Sequence, residues 1–174
     1  MIPIHILEQL VSFTEEEMNL LQGKETIDKS IFASELSHVI DYHYLLKENQ
    51  MFSVRKHTRF CQYPSHRHNY IELMYVYSGR MTHHINEQDI TIEKGQLLLL
   101  NQNIEHSINY CDENDIIFNF IIRPEYLRFL STMIEDENVV SKFIFDALYS
   151  YDMQVLYNHK YSLIYPNNSD LFLY

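Results

Sequence analysis

The sequence has no tryptophan, only three glycines and four prolines, and two cysteines in 174 residues. The cysteines, Cys61 and Cys111, are too few to form a disulfide framework, and they read as free thiols of a reducing cytoplasm. Basic residues are scarce as well. Thirteen Lys and Arg stand against 24 Asp and Glu, for a formal net charge of −11. Phosphate backbones repel a chain this acidic, so it is not built to bind DNA or RNA by itself. No apolar run approaches the ~20 residues that span a bilayer. The start, MIPIHILEQLVSF, lacks a basic n-region and carries Glu8, so it does not read as a signal peptide. A cytoplasmic protein without a membrane partner is expected. There is no Gly-rich phosphate loop, no Gly-x-Ser-x-Gly elbow and no cysteine nucleophile with a local partner.

What is present suits one folded domain with a proper core: 46% hydrophobic and 21% charged residues. Residues 1–50 read as a helical N-terminal arm, with Ile6, Leu10, Phe13, Leu20 and Leu21 at loosely helical spacing and Gly23 at a C-cap. The acidic runs TEEEMN and MIEDEN read as solvated helix faces or helix starts. Over 51–123 the texture changes to short runs rich in Val, Ile, Phe and Tyr: FSVRKHTRF, YIELMYVY, MTHHI, DITI, QLLLLN, EHSINY and DIIFNFII. Turn signals separate them, with Gly79 and Gly95 where strands should reverse. Such spacing predicts an antiparallel sandwich or barrel. Residues 124–174 read as helical, from Pro124 through PEYLRFLSTMI and NVVSKFIFDALY. The tail YSLIYPNNSDLFLY reads as a strand, a turn and a helix cap at Ser169 or Asp170. The sequence therefore reads as a piece of a longer chain.

The stretch HRHNYIELMYVYSG, His66 to Gly79, sets polar groups into an apolar run. If it is one strand, alternation puts His66, His68, Tyr70, Glu72 and Met74 on one face. Arg67, Asn69, Ile71, Leu73 and Tyr75 take the other. One face would line a cavity while the other packs. In a rolled sheet, a later strand can bring His106 beside them. Three imidazoles and a carboxylate (His66, His68, Glu72 and His106) suit a divalent metal such as zinc, nickel, iron or manganese. The same groups can instead satisfy one another in a metal-free polar pocket. Arg55, His57 and Arg59 also alternate. Pointing inward they would favour an anionic ligand, and pointing outward, the preferred reading for the arginines, they form a solvated face. Tyr70 can stack on or hydrogen-bond a ligand, whereas Tyr75 and Tyr77 read as core filler with a wet tip.

His66-x-His68-x3-Glu72-x6-Gly79 resembles the first cupin motif, and Gly95-x10-His106 resembles the frame of the second. The second departs from the family at Asn101, Asn103 and Asn109, which argues against a strict cupin enzyme. VRKHTRF, YPSHRHNYIELMYVYSG, EKGQLLLLNQNIEHSI and DIIFNFIIRPEYL, in this order, resemble the N-terminal sensor domain of AraC-type transcription regulators over roughly residues 50–150. The resemblance implies a mainly β fold with helices (α+β): a cupin-like antiparallel barrel, or double-stranded β-helix. It also implies a small-molecule effector bound in the barrel by His66, His68, Tyr70, Glu72 and His106, and a homodimer through the later helices. DNA would be bound only through a C-terminal helix-turn-helix domain absent from this chain. The reading is of a non-enzyme. The alternative is a small metal-dependent cupin enzyme, a dioxygenase or sugar isomerase.

Overall fold

Every run read as a strand forms one. The computed structural model of the protein describes residues 8, 11–24, 38–102, 104–132, 141 and 162–165. Helix α1 (Glu15–Leu21) is followed by strand β1 (Val39–Ile40) and a 3-10 turn at Tyr42–Tyr44. Then come β2 (Phe52–Lys56), β3 (Tyr63–His68), β4 (Ile71–Ser78), β5 (Arg80–Ile85) and β6 (Gln88–Glu93). After them follow β7 (Leu97–Leu100), β8 (His106–Ile108), β9 (Ile116–Ile122), helix α2 (Pro124–Ser131) and β10 (Ser162–Tyr165). The helix expected over NVVSKFIFDALY, the homodimer interface expected at its Phe143 and Leu148, and the cap at Ser169 or Asp170 lie outside the described residues.

The strands form two five-stranded sheets, in the orders β1-β3-β8-β5-β6 and β10-β7-β4-β9-β2. Pairing is antiparallel except between β1 and β3. The barrel is not closed: among the described residues the architecture is two facing sheets of cupin type. Period-two burial explains their inner faces. Along β4, Glu72, Met74 and Val76 are buried while Leu73, Tyr75 and Tyr77 are half-exposed. Met74, Val76, Met81, Ile85, Ile92, Leu98, Leu100 and Ile117 from both sheets form the main apolar cluster between them. A smaller cluster joins Ile40, Tyr42, Leu46, Tyr70 and Ile121.

The turns follow from local chemistry. β5 and β6 join through Asn86 and Glu87, both at positive φ, as a tight two-residue hairpin requires. Gly79, at φ 72 between β4 and β5, has no room for a side chain, because Asp115 and the carbonyl of Asn114 occupy the space a Cβ would fill. Helix α1 begins in a capping box: Glu17 N–H donates to Thr14 Oγ1 at 3.1 Å, and Thr14 N–H donates to Glu17 Oε2 at 2.8 Å. Gly23, at φ 68, follows its C-cap, Gln22.

Candidate functional site

The stretch from His66 to Gly79 is two strands, not one. Asn69 closes the ladder: its N–H makes the last bond to β1, at the Ile40 carbonyl, 3.2 Å away, and its Oδ1 accepts from Tyr42 N–H at 2.9 Å. The chain therefore ends β3 at His68 and opens β4 at Ile71 in the opposite sheet. Two residues intervene, so the alternation keeps its parity. His66 and His68 face inward from one sheet and Glu72 from the other. His106, on β8, pairs directly with His66.

Glu72 is where the two sheets meet chemically. Its Oε2 lies 3.6 Å from Nε2 of His68 and 3.6 Å from Nε2 of His106. One ligand atom from each of these three residues lies within 4.8 Å of the others. All three atoms are buried and lack a hydrogen-bond partner, which is costly unless something joins them. The Nδ1 of His68 sits 2.7 Å from the Tyr70 carbonyl, which can only accept, so Nδ1 carries the proton and Nε2 is bare. Metal-ligating imidazoles are commonly held this way. Two bare or orphaned imidazoles and a carboxylate thus fit zinc, nickel, iron or manganese. His66, expected in the same set, stands beside it. Its ring is 4.3 Å from that of His106, and its Nδ1 bonds the Pro64 carbonyl at 2.8 Å.

Two further interior histidines flank the cluster: His83 was not foreseen as a site residue, and His57 was foreseen only as one of an alternating set that could point inward. His83, on β5, is fully buried with neither ring nitrogen paired, 5.4 Å from the His106 ring. The signal lay in MTHHI, where Met81, His83 and Ile85 share a face with apolar neighbours on both sides. His57 is buried with Nε2 unpaired, and its ring is 5.1 Å from Tyr63.

Burial drives charge out of this interior. It pushes the Glu72 carboxyl up to about 7 and lowers His57 to about 4. Burial, aided by neighbouring imidazoles, takes His68 and His83 down to about 3 and lowers His106 as well, and burial alone lowers His66. A bound cation would offset the burial cost at the carboxylate.

A cavity of about 1120 Å³ opens between the sheets and α1. His57, Tyr63, His66, Tyr70, Glu72 and Asn119 line its inner end, with Ile108 and Ile121. Thr14, Glu15, Glu16 and Asn19 of the α1 region line its outer end, with Lys24, Arg55 and Lys56. Of the residues expected to bind a ligand, His66, Tyr70 and Glu72 reach this cavity, while His68 and His106 sit behind them. Tyr70 stacks on His68 at 4.5 Å.

Arg59 corrects the outward reading of its strand. β2 ends at Lys56, Phe60 turns through φ 67, and Arg59 is fully buried. Arg55 is exposed at the cavity rim. Glu17, in the acidic run read as solvated, is fully buried against Arg59. The two cysteines are free, and burial raises Cys61 to about 11 and Cys111 to about 12, so neither is a ready thiolate.

No curated protein matches the sequence. A family model described as "AraC-like ligand binding domain" matches residues 49–135, half of the chain. Among solved structures, an apo variant of ToxT from Vibrio cholerae aligns at 16% identity and TM-score 0.44, over 54% of this chain and 38% of that one. Wild-type ToxT from the same organism, with bound unsaturated fatty acid, aligns at 12% and TM-score 0.43, over 69% and 43%. The Cnp3 cupin domain of Schizosaccharomyces pombe aligns at 15% and TM-score 0.39, over 52% and 69%. The chain spans less than half the length of these ToxT chains. No helix among the described residues is long and apolar enough to cross a membrane.

Proposed function

The chain belongs to the AraC-like ligand-binding domain family, and from that premise we propose that it is the effector-sensing and dimerisation part of an AraC-type transcription regulator. A cytoplasmic small molecule enters the cavity and meets His66, Tyr70 and Glu72, with His68 and His106 supporting them from behind. Binding biases an equilibrium that changes how a DNA-binding helix-turn-helix domain, carried outside this chain, is presented. Homodimerisation runs through residues 124–174, with Phe143 and Leu148 at the interface. The observation that carries the reading is the cavity of about 1120 Å³, whose inner end gathers buried, unpartnered polar atoms under a helix belonging to another part of the chain. That is the form of a small-molecule site.

The test is native mass spectrometry of the protein incubated with a metabolite extract. A dimer that retains a small molecule is expected, and Ile121→Trp, which crowds the inner end of the cavity beside Glu72, should lose that mass while keeping the dimer and its circular dichroism. Retention of the same molecule by the Trp variant would move the site elsewhere.

The His68, Glu72 and His106 cluster favours a second reading, a small metal-dependent cupin enzyme of the dioxygenase or sugar-isomerase kind. A metal held there would act as a Lewis acid toward a ligand oxygen. Stoichiometric metal together with turnover of a cavity-sized substrate would establish that reading in place of the first.

A further inference from the structure

A metal ligand binds well only when a neighbour holds it at the angle its free atom must take. For His68 that neighbour is the Tyr70 carbonyl, on Nδ1. For Glu72 it is Asn119. Met74 pairs with Asn119 and Glu72 with Ile121, so the two side chains stand diagonally on the inner face of the adjacent strands β4 and β9. Asn119 Nδ2 donates to Glu72 Oε1 at 3.2 Å. A carboxylate only accepts, so this bond fixes which end of the amide faces it. The other oxygen, Oε2, is the one that lies 3.6 Å from Nε2 of both His68 and His106. The two oxygens of Glu72 are thus used differently. One is tied to its own sheet, and the other is left for the cluster.

Asn119 is otherwise out of place. It interrupts the apolar run IIFNFII, and its inner-face neighbours along β9, Ile117 and Ile121, are buried. A leucine would pack there with no polar group to satisfy. The amide instead leaves its Oδ1 buried and unpartnered, which is unfavourable. Among the described residues, the bond to Glu72 is the only one its side chain makes, and no other side chain donates to Glu72. Without it, Oε1 would be a buried acceptor with no donor. The carboxylate could then rotate and turn either oxygen, or both, toward the imidazoles.

We infer that Asn119 is a positioning residue for the candidate metal centre: by holding Glu72 Oε1 it presents Oε2 alone, as a single-oxygen ligand, to an ion shared with His68 and His106. This rests on the metal-binding reading of that cluster and adds the residue that orders it.

The experiment uses the whole chain after dialysis against EDTA. Zinc affinity is measured by competition with a chromogenic chelator, and the visible d–d absorption of the cobalt(II) form reports the coordination. Asn119→Leu, similar in shape but without a donor, should bind zinc about tenfold or more weakly, and its cobalt bands should weaken as both carboxylate oxygens reach the ion. Asn119→Gln, which keeps the donor, should bind zinc within a few-fold of the unmutated chain and keep its cobalt spectrum. Asn119→Ala, which removes the donor without adding bulk, should follow the Leu variant, and it decides the comparison if circular dichroism shows the Leu variant unfolded. Unchanged zinc affinity and cobalt spectrum in the Leu and Ala variants overturn the positioning role and leave the metal site standing. A loss in the Gln variant equal to that in the Leu variant overturns it too, since the donor then makes no difference. An unmutated chain that takes up neither zinc nor cobalt overturns the metal reading itself, and the positioning role with it.

Discussion

Arg59 and Glu17, 42 residues apart and both fully buried, tie helix α1 to the sheets. Arg59 Nε donates to Glu17 Oε1 at 2.7 Å, and its second terminal nitrogen donates to Oε2 at 2.9 Å. The guanidinium also lies over Phe13 at 5.0 Å and Phe60 at 5.5 Å. Lys56 adds a third cationic contact to Glu17, at 3.1 Å. Because α1 forms the outer wall of the cavity, this pair holds that wall in place.

Removing one member should therefore loosen the wall. Glu17→Ala leaves a buried guanidinium without its carboxylate, which typically costs about 3–5 kcal/mol. Amide exchange in Thr14–Leu21 should accelerate more than in β4 or β9. Unchanged exchange in α1 would show that other contacts hold the helix.

The same pair predicts an acid-labile component of stability. Burial pushes the Glu17 carboxyl up, but hydrogen bonds from Arg59, the Thr14 backbone and Lys56 outweigh it and hold it at about 2. A folded value below the ordinary carboxylate range means stabilisation above pH ~4.5 that fades as pH falls toward about 2. Thermal melts of the unmutated chain should drop through that window, and those of Glu17→Gln should drop less. Parallel curves would place the acid sensitivity in other carboxyls.

The metal set makes a separate prediction. His68 and His106 face Glu72 Oε2, and His66 does not belong to that cluster. In zinc titrations of EDTA-treated protein against a chromogenic chelator, His68→Ala and His106→Ala should lose tight binding. His66→Ala should bind within a few-fold of the unmutated chain. A loss in His66→Ala equal to that in His68→Ala would restore the four-ligand set.

The strands were legible because period-two burial is local, as in YIELMYVY and DITI. β3 was not seen as a separate strand, because the inward residues of YPSHRH are His66 and His68, which hydropathy reads as polar. The approach of His68, Glu72 and His106, with His66 beside His106, was legible because the two residues between β3 and β4 preserve parity, even though the sheet assignment changed. The Glu17–Arg59 pair was not legible. TEEEMN has the composition of a solvated helix start, and only the tertiary fold decides which glutamate meets the arginine. Asn119 was hidden for the same reason, inside an apolar run whose inner face it shares with Glu72 by register alone.

Two glycines at positive φ separate steric from conformational cost. A Cβ at Gly79 would meet Asp115 and the Asn114 carbonyl, whereas one at Gly95, φ 88, meets nothing within 4 Å. Asp115 in turn accepts from Arg80 N–H at 2.9 Å and Asp112 N–H at 2.7 Å, so it cannot retreat freely. Gly95→Ala should cost about 1–2 kcal/mol from backbone strain alone. Gly79→Ala should cost clearly more in urea unfolding. Equal losses would show that the Asp115 loop yields.

The contrast between Ile71 and His68 tests the division of labour between packing and site. Ile71 begins β4 with no exposed surface and pairs in register with Ile122 of β9. Truncation to Ala removes buried methyl groups where the ladder holds the backbone in place, so the vacated space cannot close, and about 2–5 kcal/mol should be lost. His68 is as deeply buried, but its Nε2 has no partner, and its Nδ1–H bonds only the nearby Tyr70 carbonyl. His68→Ala therefore removes an unsatisfied polar atom along with the ring, and the relief offsets part of the lost packing. It should destabilise less than Ile71→Ala in urea unfolding while abolishing metal uptake, and Ile71→Ala should keep metal uptake below its unfolding midpoint. If His68→Ala unfolds the chain and Ile71→Ala is harmless, the imidazole is part of the structural core and the site has been misassigned.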